Sequence, residues 1–212
     1  MPRLAIIAVA VLVTSMAGGC AINIEEAKYE VVSRNKNFEI RDYASYVVAE
    51  TVVDGTLEDA GNKAFSMLFR YISGENRSHR KIAMTAPVSQ ELAHEKIKMT
   101  SPVGQQRVED GWVVSFTMPA QYTMETLPTP EDLRVKLRQV PACRMAAVRY
   151  SGGWSEKRYL RYKEELEAWI GENGFRILGE PVWARYNPPF TPWFLRRNEI
   201  LIPVGTEKEL RK

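Results

Sequence analysis

Two cysteines and two histidines in 212 residues leave little room for several kinds of chemistry. A disulfide framework needs several paired cysteines, and this chain has two. The sequence also has no Gly-x-Ser-x-Gly, no His-Glu-x-x-His and no P-loop pattern, so the common nucleophile, zinc and phosphate machinery is not written in it. No enzyme is therefore expected, although missing motifs do not by themselves exclude catalysis. Charge of one sign is scarce as well: 29 Lys and Arg stand against 26 Asp and Glu, a net of +3. Basic residues gather at 77–81, 134–138, 157–163 and Arg196–Arg197, but acids interleave in the third group and none forms a nucleic-acid reading motif. A solvated surface explains them, and no nucleic acid partner is expected.

Nor is there an apolar run of the ~20 residues that a membrane-spanning helix requires. The one candidate, Leu4 to Met16, is shorter; Arg3 precedes it and Ala17-Gly18-Gly19-Cys20 follows. A positive start, an apolar stretch and small residues make a signal-peptide plan. The segment resembles a bacterial lipoprotein signal, although Ala17 stands where such signals more often carry Leu. That resemblance implies lipidation of Cys20, by palmitate among other acyl groups, and a chain anchored to a membrane of the cell envelope, facing the periplasm or exterior. A secreted or periplasmic soluble protein and an uncleaved N-terminal helix are the alternatives. With Cys20 lipidated, Cys143 is the remaining thiol, and in its apolar run it reads as a small core residue. Without lipidation, a Cys20 to Cys143 bridge is open in an oxidising compartment. The division that follows is a signal peptide at 1–19, a tether at 20–28, one domain at 29–204 and a polar tail at 205–212.

Alternating residues at Tyr29 to Arg34 and Phe38 to Tyr43, about an Asn-Lys-Asn turn, predict a hairpin, and Tyr46 to Val53 a third strand. Asp54-Gly55 ends it. Thr56 with Asp59 forms a capping box for a helix whose apolar residues Leu57, Ala60, Ala64, Phe65, Leu68, Phe69 and Ile72 recur at three- and four-residue spacing until Gly74. Met67 and Tyr71 widen that face beyond a minimal stripe. Strands are expected again at Trp112 to Met118, Arg134 to Val140 and Arg144 to Tyr150, then a Ser151-Gly152-Gly153 turn. A second helix begins at Ser155, with Tyr159, Tyr162, Leu166, Trp169 and Ile170 as its stripe and Arg161/Glu165 and Lys163/Glu167 as supporting pairs. Trp183 to Tyr186 and Glu199 to Val204 are the last strands, separated by a proline-rich loop at 187–193. The order predicts an α+β fold of two similar halves, with two main helices on one curved antiparallel sheet that curls towards a barrel.

One octapeptide occurs almost twice: Lys-Ile-Ala-Met-Thr-Ala-Pro-Val at Lys81 to Val88 and Lys-Ile-Lys-Met-Thr-Ser-Pro-Val at Lys96 to Val103. Each reads as a strand end or edge segment stopped by its proline. These copies, Phe65 through Asn76, Tyr150 through Trp154, and the run from Tyr186 to Pro203 (Tyr-Asn-Pro-Pro-Phe-Thr-Pro-Trp-Phe-Leu-Arg-Arg-Asn-Glu-Ile-Leu-Ile-Pro) together resemble the SOUL, or haem-binding protein, family over nearly all of Tyr29 to Val204.

The resemblance implies two pseudo-symmetric halves, a shape similar to the gyrase-inhibitory-protein-like effector-binding domains, and a shallow apolar groove that takes haem or another porphyrin non-covalently. Matching positions place Phe65, Met67, Leu68, Phe69, Tyr71, Met84, Phe190, Trp193 and Phe194 along that groove. Arg196 and Arg197, with Arg80 and Lys81 behind them, would meet its propionates. Aromatic and Met side chains suit the broad faces of a porphyrin. For iron the candidates are weak. His79 and His94 lie in polar segments, Met84, Met99, Cys143 and the tyrosines are donors only in principle, and with no Cys-x-x-Cys-His covalent attachment is out. Glu199 is the notable carboxylate: buried alone its pKa would rise and suit it to base catalysis or a cationic ligand, whereas beside Arg196 and Arg197 it would be an ordinary ion pair. Sequestration or transfer of a tetrapyrrole is the expectation. A binder of other hydrophobic or cationic molecules, and a hydrolase using Glu199, are the alternatives.

Overall fold

The capping, periodic and turn signals of the first half produce four elements: β1 (Tyr29–Asn35), β2 (Phe38–Tyr43), β3 (Tyr46–Val53) and α1 (Leu57–Ser73). The computed structural model describes residues 24–78, 94–109, 111–188 and 190–206. Thr56 caps α1 as its spacing predicts, its hydroxyl oxygen accepting from the Asp59 amide at 3.2 Å while the hydroxyl donates to the Asp59 carboxylate at 2.8 Å. Gly74 stops the helix at φ 120°, a conformation that glycine alone adopts without strain. There follow β4 (Asn76–Arg77), β5 (Val103–Val108), β6 (Gly111–Thr117), β7 (Thr129–Pro130), β8 (Lys136–Val140) and β9 (Cys143–Ser151). The chain ends with α2 (Glu156–Glu172), β10 (Arg176–Ile177), β11 (Val182–Arg185), a 3₁₀ turn at Trp193–Leu195 and β12 (Arg197–Gly205).

Antiparallel pairing joins the strands in the order β1-β2-β9-β12-β11-β5-β6-β3-β8, with β10 on β12, in a curled half-barrel. The middle of this order is the β11–β5 pair, where Ala184 faces Gly104. On either side the two halves repeat: β2, β3, α1, β5, β6 and β8, β9, α2, β11, β12. The first strand of each half, however, lies with the other half, β2 against β9 and β8 against β3.

Alternation along the strands sends side chains to two faces. One carries both helices: Ile40, Val114, Val148, Ile200 and Ile202 from the sheet pack with Leu57, Ala60, Ala64 and Leu68 of α1 and Leu166 and Ile170 of α2. Each fully buried Leu there contributes about 1.5–3 kcal/mol. The opposite face holds a smaller cluster of Tyr43, Met145, Ala147, Ala184, Tyr186 and Leu201. Both expected pairs on the wet side of α2 form, Lys163–Glu167 at 2.9 Å and Arg161–Glu165 at 3.5 Å.

Two expectations change. The second octapeptide copy does not end a strand at its proline; residues 96–102 belong to no strand, Ser101 forms an isolated parallel bridge with Glu26, and β5 starts at Val103. The segment is tied instead by Ile97 donating its amide to Ile72, Ser101 donating to Glu25 and the Thr100 hydroxyl donating to the Thr117 carbonyl. Residues 24–28, expected as tether, lie against the domain through that same Glu25 carbonyl and a Glu26–Arg197 ion pair of 2.7 Å. The first octapeptide copy lies outside the described residues, as does the whole signal segment with Cys20.

Candidate functional site

A glycine in the middle of a helix costs about 1 kcal/mol relative to alanine, and α1 has one at Gly61 where it faces the end of β11. A Cβ there would sit 1.9 Å from Nη2 of Arg185. The missing side chain thus makes room for a guanidinium that is 8% exposed. Its Nη2 donates to Gln105 Oε1 at 3.1 Å, and Gln105 in turn donates to the Leu57 carbonyl at 2.6 Å. Two indoles flank the guanidinium, Trp154 with its ring centre at 5.0 Å and Trp183 at 5.1 Å. Asn198, fully buried, fixes Trp154: its Oδ1 accepts from the indole N–H at 2.9 Å while its Nδ2 donates to the Gly152 carbonyl at 3.1 Å. Arg196 covers another part of Trp154, 4.5 Å from the ring centre, and donates from Nε to the Thr191 carbonyl at 2.7 Å. Burial pushes the Arg185 pKa down to about 10.

Arg185 and Trp154 form part of the lining of a groove of about 460 Å³ between α1, the segment before β5, and the proline-rich loop. Phe65 and Met99 stand on one side, Asn187, Pro188 and Phe190 on the other. That volume falls within the range of small-molecule sites, and an apolar wall with a few converging polar groups is their usual composition. A larger depression of about 800 Å³ lies on the far side of Phe65, between α1 and the β3 end, but it is shallow and edged by Lys63, Arg70 and Arg134.

The residues expected along one groove are dispersed. Phe65 and Phe190 do line it. Met67 and Phe69 face the shallower depression instead. Leu68 and Tyr71, 0% and 1% exposed, are core residues, because the three- and four-residue spacing that marked them belongs to the buried stripe; the Tyr71 hydroxyl donates to the Pro128 carbonyl at 2.9 Å. Trp193 and Phe194 are exposed on the 3₁₀ turn, ring edge to ring face at 5.6 Å, and contribute nothing to the lining. Arg197 is turned to the other face of the sheet, where it pairs with Glu26 at 2.7 Å and Glu199 at 3.0 Å, so it is no rim cation. His94 is engaged through Nδ1 with the Asn76 carbonyl at 3.0 Å beyond the C-terminal end of α1, and is not a lining residue. Cys143 is half-buried, its thiol pushed up by burial. Met84, His79, Arg80 and Lys81 lie outside the described residues. Sequence reasoning missed Arg185, Gln105, Asn198 and Gly61; the mid-helix glycine was the available signal.

Glu199 is fully buried and held by several donors: Arg41 gives Nη1 to Oε2 at 2.7 Å and Nη2 to Oε1 at 3.1 Å, and the Tyr186 hydroxyl donates to Oε2 at 2.8 Å. Burial alone would raise its pKa, but the hydrogen bonds and charge of Arg41, aided by Arg197 and Tyr186, bring it below the usual carboxylate value. The ion-pair expectation holds, with Arg41 as a partner the sequence did not suggest. Among the described residues no cluster of three or more His, Cys, Asp or Glu side chains is placed to hold a metal.

Comparison with known proteins adds the lineage. Heme-binding protein 1 of Xenopus tropicalis is 23% identical over 191 residues, 88% of this chain and 93% of its own length, and the Mus musculus protein of that name is 25% identical over 155 residues, 70% and 74% of the two chains. In three dimensions the EcmrR C-terminal domain superposes with a TM-score of 0.50 over 84% of this chain and 98% of its own, at 13% identity. A hydrolase from Listeria innocua gives 0.53 over 82% and 94%, also at 13% identity. Those two likenesses speak for the fold alone. The family profile described as SOUL heme-binding protein matches residues 24–203 from the first described residue almost to the end of β12, and on that span the chain belongs to the SOUL heme-binding protein family.

Proposed function

We propose that this protein binds haem or a related tetrapyrrole non-covalently in the groove between α1 and the proline-rich loop, and sequesters or passes it on at the cell envelope. The observation that carries the reading is the groove of about 460 Å³, whose lining brings Phe65, Trp154 and Phe190 together with the buried Arg185. Family membership supports a tetrapyrrole as the ligand class. The residues fit such a group: aromatic faces and a Met side chain cover a flat apolar macrocycle, and a guanidinium suits a carboxylate at its edge. Iron, when the macrocycle carries it, would add affinity for a donor atom of the protein, and Met99 is the only sulfur donor among the described lining residues, with no His beside it. Packing against the ring therefore supplies most of the affinity. Binding and not catalysis is further favoured by Glu199, whose carboxylate is taken up by two guanidiniums and a phenol.

Titration of the purified protein with hemin and with metal-free protoporphyrin tests this reading. Saturable binding of both with comparable affinity is the expected result; saturation by neither removes it. Phe190, 86% exposed, offers a clean variant: Phe190→Ser should weaken binding about threefold to tenfold, the weight of one aromatic contact, at an unchanged unfolding midpoint. The membrane anchor through Cys20 belongs to the same proposal and rests on the small-residue run before that cysteine. Palmitate should label the protein in cells and Cys20→Ser should abolish the label; an unlabelled parent chain would leave a secreted or periplasmic soluble protein.

A further inference from the structure

Arg185 presents an imbalance that its surroundings do not resolve. Its side chain carries five N–H donors and a permanent charge, it is buried to 8% exposure, and among the described residues Gln105 is its one hydrogen-bond acceptor and no carboxylate pairs with it. Buried charges are ordinarily paired. Arg41, the other buried arginine among the described residues, follows that rule on Glu199, as does the part-buried Arg197 on Glu26 and Glu199. At Arg185 the fold holds the cation in place by other means: Gly61 yields the space, Trp154 and Trp183 flank it, and Asn198 locks Trp154. Burial also depresses its pKa, so the protonated form carries a desolvation cost that an incoming anion would relieve. Arg185 is one of the residues that line the groove, which gives that anion a route towards it.

We propose that Arg185 is the anion receptor of this groove, donating to one carboxylate of a flat amphiphilic acid, and that it makes the site select carboxylate-bearing ligands over equally apolar ones without a carboxylate. The proposal rests on the groove reading above and sharpens it: packing supplies affinity, and Arg185 sets which end of the ligand goes inward. Ligand charge, not ring size alone, then decides entry.

The test compares protoporphyrin with its dimethyl ester, the same ring with both carboxylates masked, by fluorescence titration of the full chain in mild detergent. The parent protein should bind the diacid about tenfold or more tightly than the diester, the range expected for a charge-assisted pair that shields a buried cation. Arg185→Met should remove that preference, weakening the diacid about tenfold and leaving the diester unchanged, while Arg185→Lys retains part of it. Gly61→Ala, which displaces the guanidinium without deleting it, should show the same diacid-selective loss and stands in if Arg185→Met fails to fold. Equal binding of diacid and diester by the parent protein overturns the proposal while the groove reading survives. Equal loss for both ligands in Arg185→Met overturns it too, because that is the mark of a structural pillar. Saturation by neither ligand defeats the groove reading itself and this proposal with it.

Discussion

Arg41 and Arg185 are both buried guanidiniums on strands of one sheet, and they face opposite sides of it. Arg41, 2% exposed, makes four hydrogen bonds: Glu199 takes Nη1 and Nη2, Glu39 takes Nε at 2.6 Å, and the Tyr43 hydroxyl accepts from Nη1 at 3.2 Å. Burial would lower its pKa, but the neighbouring Glu199 charge more than offsets this and the group is held well above its ordinary value. Arg185 has no such counter-charge among the described residues and its pKa falls to about 10. Two identical side chains thus serve different ends. A buried charge with its partner built in fixes the fold; one whose partner is withheld is set to meet a ligand.

If that distinction is right, the two sites respond oppositely to mutation. Glu199→Gln should destabilise the protein by about 3–5 kcal/mol, since it removes the buried carboxylate that Arg41 and Arg197 share and leaves Arg41 with Glu39 as its one counter-charge; a denaturant midpoint that hardly moves would erase the contrast. The same pair gives an acid limit. Because the folded carboxyl of Glu199 titrates below its unfolded value, its stabilisation is complete above the unfolded value and is lost as pH falls through the folded one. Acid unfolding followed by circular dichroism should show that loss in the parent protein and lack it in Glu199→Gln. Arg185→Met should change the stability of the ligand-free protein by less than about 1 kcal/mol in either direction, because a buried cation without a counter-charge contributes little net, even though it removes carboxylate selectivity. An exposed pair is the third reference: Arg144 meets Asp42 at 2.7 Å with 28% and 44% of the side chains exposed, and Asp42→Asn should cost about 0.2–1 kcal/mol, less in high salt.

The parts of this fold written in local signals were legible. Thr56, the α1 stripe and Gly74 fix that helix to the residue, because a cap, a 3.6-residue period and a left-handed stop all act within a few positions. β5 was not read: Gly104, Gln105, Gln106 and Arg107 carry no apolar alternation, and they form a strand because β6 and β11 flank them. Leu68 and Tyr71 were placed along the groove by the family resemblance and are instead core residues; periodicity says which residues share a helix face but not whether sheet or ligand covers it. Arg185 was invisible for a related reason. In Trp-Ala-Arg-Tyr an arginine reads as the wet side of a strand, and only α1 crossing above it with a glycine turns that position inward. Arg41 became the partner of Glu199 from 158 positions away, beyond any spacing rule.

The lending of β2 to one side and β8 to the other has a bearing on how the polypeptide comes into being. A ribosome that has released everything up to β6 has made a piece whose β3 still awaits β8 and whose β2 still awaits β9. Neither piece owns a finished border, and the exposed strand rims invite wrong partners until both have emerged. Cutting the gene at the middle should accordingly yield two insoluble fragments that recover order only when mixed. The proposed groove, too, is complete only once the proline-rich loop ahead of the last strand has been delivered.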